Sequence, residues 1–344
     1  MKALCLSVII FLSICNLYSQ EALQYHLNGY RPGDKIIKQQ MTGIFPGASG
    51  RNFIWDFTQA DIMDDYYPLI YFRINKGDTI HLGSWEHRTR YLFEQQEQSI
   101  WMTGYKNTSA EMAFELPELQ MHFPLSYGDT LSAPFHGSGL YYQSTEMTAS
   151  GRTYIHADAT GTLITPGNDT LRNVLRVKRT REYDNIGIEG ATMRLETYNW
   201  YAPGYRYPIF EVIRSFSMLE GEESEDFSTA FYFPIIAIES LAEDTANEAI
   251  REQAQQDRGI LLYCQTHPNP VETDCHISFE LSTQASVSIR LCNILGLPIS
   301  SIRQEILPAG LHERSISMNG LQQGNYLLYI QADNYVKKQV VIKK

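Results

Sequence analysis

Apolar and polar residues alternate in many short stretches before residue 240. Residues 71–75, 152–157, 160–164, 174–180 and 193–201 show this period of two, which places one face of a β-strand against a core. Gly, Pro, Asn and Asp lie between the stretches, and no long helical period intervenes. The pattern predicts a large antiparallel all-β domain, and a barrel and a sandwich fit it equally well.

The chain from residue 263 onwards shows the same alternation at closer spacing. Residues 275–281 and 285–291 alternate, and residues 326–330 and 339–342 are mostly apolar. Turn signals that contain glycine separate these stretches, because glycine adopts the positive φ that a chain reversal needs. About seven short strands in this length are typical of a small immunoglobulin-like β-sandwich.

The N-terminus has a different pattern from both β regions. Met1 and Lys2 precede an apolar stretch over residues 3–14, and the small residue Ser19 follows. A short basic start, an apolar run too short to cross a bilayer and a small-residue cleavage site are the parts of a secretory signal peptide. We therefore expect residues 1–19 to be a signal peptide that is removed on export.

Acidic residues are concentrated between residues 220 and 258. This stretch holds 11 of the 39 Asp and Glu residues but only two of the 28 Lys and Arg residues, so most of the net charge of −11 is local. Its second half is rich in Ala, Glu and Gln, which is typical of an exposed helix or a flexible connector. We expect a large β-rich domain over residues 20–241, an acidic linker over 242–262 and a C-terminal domain over 263–344.

Composition excludes several classes of protein. A hydrophobic fraction of 43% is enough to form cores, so most of the chain is not intrinsically disordered. The net negative charge argues against nucleic-acid binding, which needs a basic face. Of the five Cys, only Cys264, Cys275 and Cys292 follow the predicted signal peptide. They allow at most one disulfide bond, and the large domain has no cysteine for catalysis or metal binding.

The large domain has no motif of a common catalytic or nucleotide-binding site. Phosphate-binding glycine loops, the His-Glu-x-x-His zinc motif and the Gly-x-Ser-x-Gly nucleophile motif are absent. Residues 61–65 hold three Asp but lack the Gly and Glu of a calcium loop, so we expect a solvated turn there. Six histidines are not at the paired spacing of metal ligands, namely His26, His81, His87, His122, His136 and His156. No metal site and no cofactor is predicted.

Paired carboxylates are the remaining route to catalysis, because glycoside hydrolysis needs two acids that face each other across a cleft. No spacing selects two of the six candidates, so no catalytic residue is assigned. The candidates are Asp56, Glu86, Glu115, Asp158, Glu196 and Glu211. Large aromatic residues either stack on sugars or pack a β core, and core packing is favoured. They are Trp55, Trp85, Trp101, Trp200, Tyr198, Tyr201, Tyr205 and Tyr207.

The C-terminal domain contains a series of motifs in a defined order. They are Pro268-Asn269-Pro270, residues 287–291, Gly296, residues 308–312 with Gly310, residues 321–326 with Gly324 and Tyr326, and a lysine-rich end with Lys343 and Lys344. In combination these motifs resemble the type A C-terminal sorting domain, which directs cargo of Bacteroidetes bacteria through the type IX secretion system. The resemblance covers residues from about 263 to 344.

This resemblance implies passage across the outer membrane, to the cell surface or the extracellular space. It also implies two partners, the type IX translocon and a sortase-like protease that removes the domain. The cargo is then released or joined to surface lipopolysaccharide. Lysines in the final strand either protect an exposed sheet edge or contact a receptor, and both readings stay open.

Two further sets of residues resemble features of proteins exported by this route. Residues 55–58, 162–167 and 200–204 look like segments common in its cargo, and they imply a β fold without an activity. Four Asp-Thr pairs resemble the acceptor of Bacteroidetes O-glycosylation, although Asp-Thr is also a good turn entry. The acceptors would be Thr79, Thr130, Thr170 and Thr245.

The sequence therefore predicts an exported, two-domain all-β protein. Because catalytic constellations are absent and aromatic strands are abundant, the leading hypothesis for the large domain is non-catalytic binding or adhesion, with a glycan as one candidate ligand. The alternative is a carbohydrate-active hydrolase that uses two of the carboxylates named above.

Overall fold

The computed structural model describes residues 22–76, 79–96, 98–167, 169–184, 192–256, 260–293, 298–333 and 335–344. The predicted signal peptide and the motif residue Gly296 lie outside these ranges. The described helices are α1 (Tyr25–Asn28), α2 (Ile235–Glu239) and α3 (Thr245–Gln256). Strands account for most of the other described residues, which confirms the predicted all-β class. Within these ranges, no helix has the length and apolar character needed to cross a membrane.

The large domain contains strands β1 to β13. They are β1 (Lys35–Thr42), β2 (Gly50–Asp56), β3 (Ile62–Lys76), β4 (Thr79–Glu86), β5 (Thr89–Gln96), β6 (Ser99–Lys106), β7 (Ala110–His122), β8 (Thr130–Tyr141), β9 (Thr145–Ile164), β10 (Thr170–Asp184), β11 (Thr192–Tyr201), β12 (Phe210–Leu219) and β13 (Glu222–Tyr232). Strands β3 to β13 pair with their sequence neighbours in antiparallel fashion, and β1 pairs with both β13 and β3. Twelve strands thus close into a barrel-like ring. Of the two architectures that fit the sequence, the large domain therefore has the barrel.

Strand β2 lies beside the ring and pairs in parallel with the last part of β9. The residue that allows this pairing is Gly161, because a Cβ atom there would lie 2.0 Å from the carbonyl oxygen of Phe53 on β2. Residues 152–157 and 160–164, expected as separate strands, are therefore parts of the single strand β9. Gly161 lies inside this strand and marks a close backbone approach.

The acidic stretch at residues 61–65 was predicted as a solvated turn, and this prediction was wrong. Strand β3 begins at Ile62 and runs through these residues, with Ile62 paired to Met41 on β1. Asp61 and Asp64 are exposed, so these polar side chains reach solvent at the start of the strand. Polar residues at a solvated strand end have the composition of a turn, which explains the error.

The C-terminal domain is a two-sheet sandwich of seven strands, as predicted. They are β14 (Leu261–His267), β15 (Asp274–Leu281), β16 (Ala285–Cys292), β17 (Pro298–Leu307), β18 (Gly310–Ser317), β19 (Gly324–Ala332) and β20 (Tyr335–Lys343). One sheet has the order β14-β15-β18, and the other has the order β17-β16-β19-β20. All of their pairings are antiparallel. The alternating side chains of the two inner faces form the core between them.

The two domains have separate hydrophobic cores. One core lies within the large domain, and another, which includes Phe279 and Ile330, lies between the two sheets of the sandwich. A small third cluster joins the domains through Ile164 on β9 and Cys292 and Tyr329 of the sandwich. The C-terminal domain thus has its own core and also touches the large domain.

The beginning of the predicted linker is attached to the large domain. Asp244 and Asn247, at the start of α3, are both buried. Arg206 donates to Asp244 with an Nη2–Oδ1 distance of 2.6 Å, and the amide of Asn247 donates to the carbonyl of Leu27 at 3.0 Å. Helix α3 agrees with the helical reading of this stretch, while the boundaries of the linker at residues 242 and 262 stay a prediction.

Candidate functional site

The structure brings two of the six candidate carboxylates together. Glu86 at the end of β4 and Glu211 on β12 both accept hydrogen bonds from the ammonium group of Lys38 on β1. The Nζ–Oε1 distances are 2.6 Å to Glu86 and 3.1 Å to Glu211. The hydroxyl group of Tyr67 on β3 also donates to Glu86, at 3.1 Å. We call these four residues the Lys38 cluster.

The Lys38 cluster lies where the first strand completes the ring. Its members come from β1, β3, β4 and β12, in a sheet ordered β12-β13-β1-β3-β4. The β1–β13 ladder contains only four residue pairs, from Gln39–Tyr232 to Thr42–Thr229. Lys38 adds a further contact between β1 and β13. Its Nζ lies 4.5 Å from the ring centre of Phe231 on β13, a cation–π distance.

The electrostatics of the Lys38 cluster favour a permanent ion pair. Burial lowers the pKa of Lys38, but Glu211 and Glu86 outweigh it, so the pKa lies above its ordinary value. Burial raises the pKa of Glu86, but the charge and hydrogen bond of Lys38 outweigh it and hold the pKa below its usual value. A glycosidase acid needs the opposite shift, towards a raised pKa. The geometry therefore supports a structural salt bridge.

The other four candidate carboxylates lie on four different strands, and each has its own partner. Asp56 pairs with Lys338 at 2.9 Å, Asp158 with Arg176 at 2.8 Å and Glu196 with Lys178 at 2.7 Å, while Glu115 accepts from Ser138. Burial raises the pKa of Asp56 and of Glu196, yet their hydrogen bonds and cations lower each pKa overall. The hydrogen bond from Ser138 lowers the pKa of Glu115.

Arg176 is a buried residue whose role the sequence analysis missed. Its side chain is 1% exposed and donates two hydrogen bonds of 2.8 Å to the two carboxylate oxygens of Asp158. It also donates to the carbonyl of Ala48, and its guanidinium group lies 5.8 Å from the ring centres of Trp55 and Trp200. An arginine within the apolar run at residues 174–177 was the available sequence signal.

Most of the named aromatic residues pack in the core, as favoured by the sequence analysis. Trp55, Trp200 and the four tyrosines are buried, whereas Trp85 is 48% exposed on β4. A further aromatic pair projects from the β8–β9 hairpin, where Tyr141 and Tyr142 are 47% and 63% exposed and their ring centres are 4.5 Å apart. Among the described residues, no group of three His, Cys, Asp or Glu side chains could hold a metal ion.

Tyr142 has a backbone φ of 46°, in the left-handed region that bulky residues rarely adopt. Gln143, the next residue of the turn, has a φ of 59°. Positive φ at both central residues, with the amide of Ser144 donating to the carbonyl of Tyr141 at 3.2 Å, is the geometry of a tight hairpin turn. The β8–β9 turn therefore holds its two tyrosines in solvent at a cost in backbone energy.

In the C-terminal domain, the Pro-Asn-Pro motif holds the last strand. The side chain of Asn269 donates to the carbonyl of Val340 at 2.8 Å and accepts from the amide of Ile342 at 2.9 Å. The backbone continues this contact, since Val271 and Ile342 are joined by a hydrogen bond of 2.7 Å. Pro268 and Pro270 flank the asparagine in an exposed segment. The motif thus closes one end of the sandwich along β20.

The other described motif residues form turns and a strand contact. Gly310 and Gly324, with φ values of 119° and 149°, begin β18 and β19 in a conformation that favours glycine. Tyr326 is buried, and its hydroxyl group donates to the carbonyl of Gln322 at 2.8 Å. Lys343 is half-buried and Lys344 is exposed.

The Asp-Thr pairs differ in accessibility. Thr130 and Thr245 are exposed, and Thr170 is half-buried. The neighbouring aspartates take part in local structure, because Asp129 accepts from the amide of Ser126 at 2.7 Å and Asp244 is the partner of Arg206. The side chain of Thr79 lies outside what the structure describes.

The fold and the candidate site define a two-domain β protein. Its large closed β domain holds the candidate catalytic acids in ion pairs or hydrogen bonds, and a small sandwich with its own core follows. Residues 265–344, which include the last three residues of β14 and all of β15 to β20, match the family model described as "Secretion system C-terminal sorting domain". A search of the curated proteins finds no match to this chain.

The C-terminal domain is accordingly a type IX sorting domain, and the chain is a secreted cargo protein of the type IX route. It is exported across the outer membrane to the cell surface or the extracellular space. The sorting domain interacts with the type IX secretion machinery.

Proposed function

We propose that the large domain is a non-catalytic binding or adhesion domain, delivered to the cell surface by the sorting domain. One observation carries this proposal: every candidate carboxylate has a cation or a hydrogen-bond donor as its partner. The general acid that glycoside cleavage requires needs a raised pKa, whereas the partners of four of these carboxylates lower the pKa, namely Asp56, Glu86, Glu115 and Glu196.

The exposed tyrosine pair is the proposed contact surface. Tyr141 and Tyr142 present flat, amphipathic rings with few rotatable bonds, which bind ligands at a low cost in conformational entropy. The strained turn fixes their positions before a ligand arrives. Glycans are the proposed ligand class, because sugar rings stack on such aromatic faces.

A glycan panel tests the binding proposal on the full chain. We expect retention of one glycan class without turnover, and severalfold weaker retention for Tyr142→Ala. Tyr154→Ala on β9 is the matched control, since Tyr154 is also exposed but lies away from the turn. Unchanged retention in Tyr142→Ala would remove the tyrosine pair from the proposal, and turnover of any glycan would replace binding by catalysis.

A hydrolase remains the second candidate, and the placement of Glu86 and Glu211 on one ammonium group favours it. Two carboxylates at such close range are the arrangement that retaining glycosidases use. This candidate requires turnover that both Glu86→Gln and Glu211→Gln abolish while Glu196→Gln retains it. Loss of turnover in all three variants would point to unfolding, which tryptophan fluorescence would reveal.

For the sorting domain, we propose recognition by the type IX translocon followed by removal by a sortase-like protease. The cargo is then released or attached to surface lipopolysaccharide. Deletion of residues 263–344 in the native host should stop arrival at the cell surface. Continued surface display of the truncated chain would contradict this role, and the mass of the mature protein would distinguish release from attachment.

O-glycosylation of the exported protein is a further proposal, at Thr130 and Thr245. Both threonines are exposed, so their hydroxyl groups are accessible in the folded chain. Mass spectrometry of the secreted protein should show glycan on these residues, and Thr130→Val should remove one modified peptide. Unmodified peptides at both positions would contradict the assignment.

A further inference from the structure

The sorting domain has a second buried face. Along β19, Tyr326, Leu328 and Ile330 face the core of the sandwich, so Leu327 and Tyr329 face the opposite side of the sheet. In an isolated sandwich that side would be solvated. Here Tyr329 and Cys292, on neighbouring strands, are each 1% exposed, and they pack with Ile164 of the large domain.

A polar contact lies beside this apolar cluster. Asp56, the last residue of β2, accepts hydrogen bonds from the hydroxyl group of Tyr329 and from the ammonium group of Lys338, both at 2.9 Å. Tyr329 and Lys338 are direct partners in the β19–β20 ladder, so the two donors are presented together. Thr58 donates to the same carboxylate from within the large domain, at 2.7 Å.

Two more contacts extend along the same sheet. The guanidinium group of Arg290 on β16 donates to the carbonyl of Asn52 on β2 at 2.6 Å. Arg172 on β10 lies 5.0 Å from the ring centre of Tyr335 on β20. Strands β16, β19 and β20 thus all contact the large domain, and they do so with charge-assisted or cation–π geometry.

We propose that the outer face of the β17-β16-β19-β20 sheet is a docking surface for the large domain, strong enough to hold both domains together when the chain between them is cut. Burial of an aromatic ring with its hydroxyl satisfied, next to a charged pair, is the composition of an interface hot spot. Removal of the sorting domain then takes two steps, cleavage and dissociation. The docking is independent of the activity of the large domain; only its consequence for export rests on the proposed cleavage.

The test uses the full chain with a specific protease recognition sequence inserted after Gln256. Before cutting, tryptophan fluorescence and burial of the thiol groups must match the unaltered protein, which establishes that the insertion leaves both domains folded. After complete cutting, we expect the two fragments to co-elute in size-exclusion chromatography at micromolar concentration. Elution as two separate species under these conditions would overturn the proposal.

Point variants identify the contact that holds the fragments. Lys338→Met and Tyr329→Phe each remove a donor to Asp56, and we expect each to weaken the cut complex at least about tenfold, the effect of a hydrogen bond to a charged group. Lys337→Met is the matched control, because Lys337 pairs with Ile330 and faces the other side of β20. Unchanged dissociation in both donor variants would reject Asp56 as the docking point, and with it the proposed surface.

Discussion

The two domains bury different kinds of side chain. In the large domain, charged residues such as Lys38, Glu118, Asp158 and Arg176 are buried beside the apolar core. Among the described residues of the C-terminal domain, every residue classed as buried is hydrophobic. The large domain therefore depends on particular partners across the sheet, whereas the sandwich depends on apolar volume and alternation.

This difference matches the roles of the two domains. An apolar core accepts many hydrophobic residues of suitable size, so a sorting domain can keep its shape with varied sequences. A buried charge is strongly destabilising once its partner is removed, so the large domain accepts fewer changes. The comparison predicts that low pH and the removal of charged side chains destabilise mainly the large domain. Changes of apolar volume should destabilise mainly the sandwich.

Each domain carries its own spectroscopic or chemical probe. All four Trp residues lie in the large domain, at positions 55, 85, 101 and 200. The three cysteines after residue 22 lie in the sandwich and are buried and free. Cys264 and Cys275 belong to the sandwich core, whereas Cys292 lies at the contact with the large domain. Burial raises the pKa of Cys264 to about 11 and also raises that of Cys275, so these two thiol groups react when the sandwich opens. Tryptophan fluorescence and labelling of Cys264 and Cys275 therefore report the two domains separately.

Acid should produce the largest difference between the domains, because it acts on several carboxylates at once. Glu86 and Glu196 have a folded-state pKa below the unfolded value. The stability that each contributes is present above the unfolded pKa and is lost as the pH falls through the folded-state pKa. From about pH 7 to about pH 3, the urea midpoint of the fluorescence transition should fall more than that of the thiol transition. The thiol transition is followed with a pyridyl disulfide reagent, because ordinary labelling needs the thiolate and stops in acid. Equal shifts of both transitions would remove the electrostatic distinction between the domains.

Removal of the buried arginine should give the next largest effect. Arg176→Met leaves the buried carboxylate of Asp158 without its cation, and we expect a loss of about 3–5 kcal/mol in the free energy of unfolding of the large domain. The urea transition followed by fluorescence measures this loss, with little change in thiol protection. Arg214→Met is the matched control; its partner Glu225 is exposed, so the change should stay below about 1 kcal/mol. Equal losses in the two variants would show that burial of the charge is unimportant here.

A change of apolar volume should act on the sandwich with a smaller effect. Ile330 is fully buried between the two sheets, and Ile330→Val removes one methyl group from the core. We expect the unfolding free energy of the sandwich to fall by about 0.5–1.5 kcal/mol, measured by the urea dependence of thiol labelling. Tryptophan fluorescence should keep its midpoint. A fall in the fluorescence midpoint of the same size would mean that the two domains unfold as one unit.

The smallest effect is expected from the motif asparagine. Asn269→Ala removes two hydrogen bonds to β20, but the side chain is exposed, so water replaces part of the loss. We expect a decrease of about 0.5–1 kcal/mol in the unfolding free energy of the sandwich. Hydrogen exchange at the amide of Ile342 should increase, while exchange in β15 stays unchanged. Unaltered exchange at Ile342 would show that the asparagine does not hold the last strand.

Alternation along the chain predicted the β class of both domains and the seven strands of the sandwich, because strand formation follows from local pattern. Alternation does not predict the ion pairs of the large domain. Lys38 and Glu211 are 173 residues apart, and only the closing of the ring, which depends on register and strand order, places them side by side. The second face of β19 did have a local signal, since residues 326–330 are apolar without interruption, which is typical of a strand buried on both sides.

The position of β1 also bears on when the large domain can fold. Gln39 pairs with Tyr232, so the ring stays open until almost the whole domain has been synthesised. Contacts between such distant parts of a chain make folding slow. We therefore expect a nascent polypeptide with this topology to complete its barrel-like ring only after β13 has been made, so that folding of the large domain follows its synthesis.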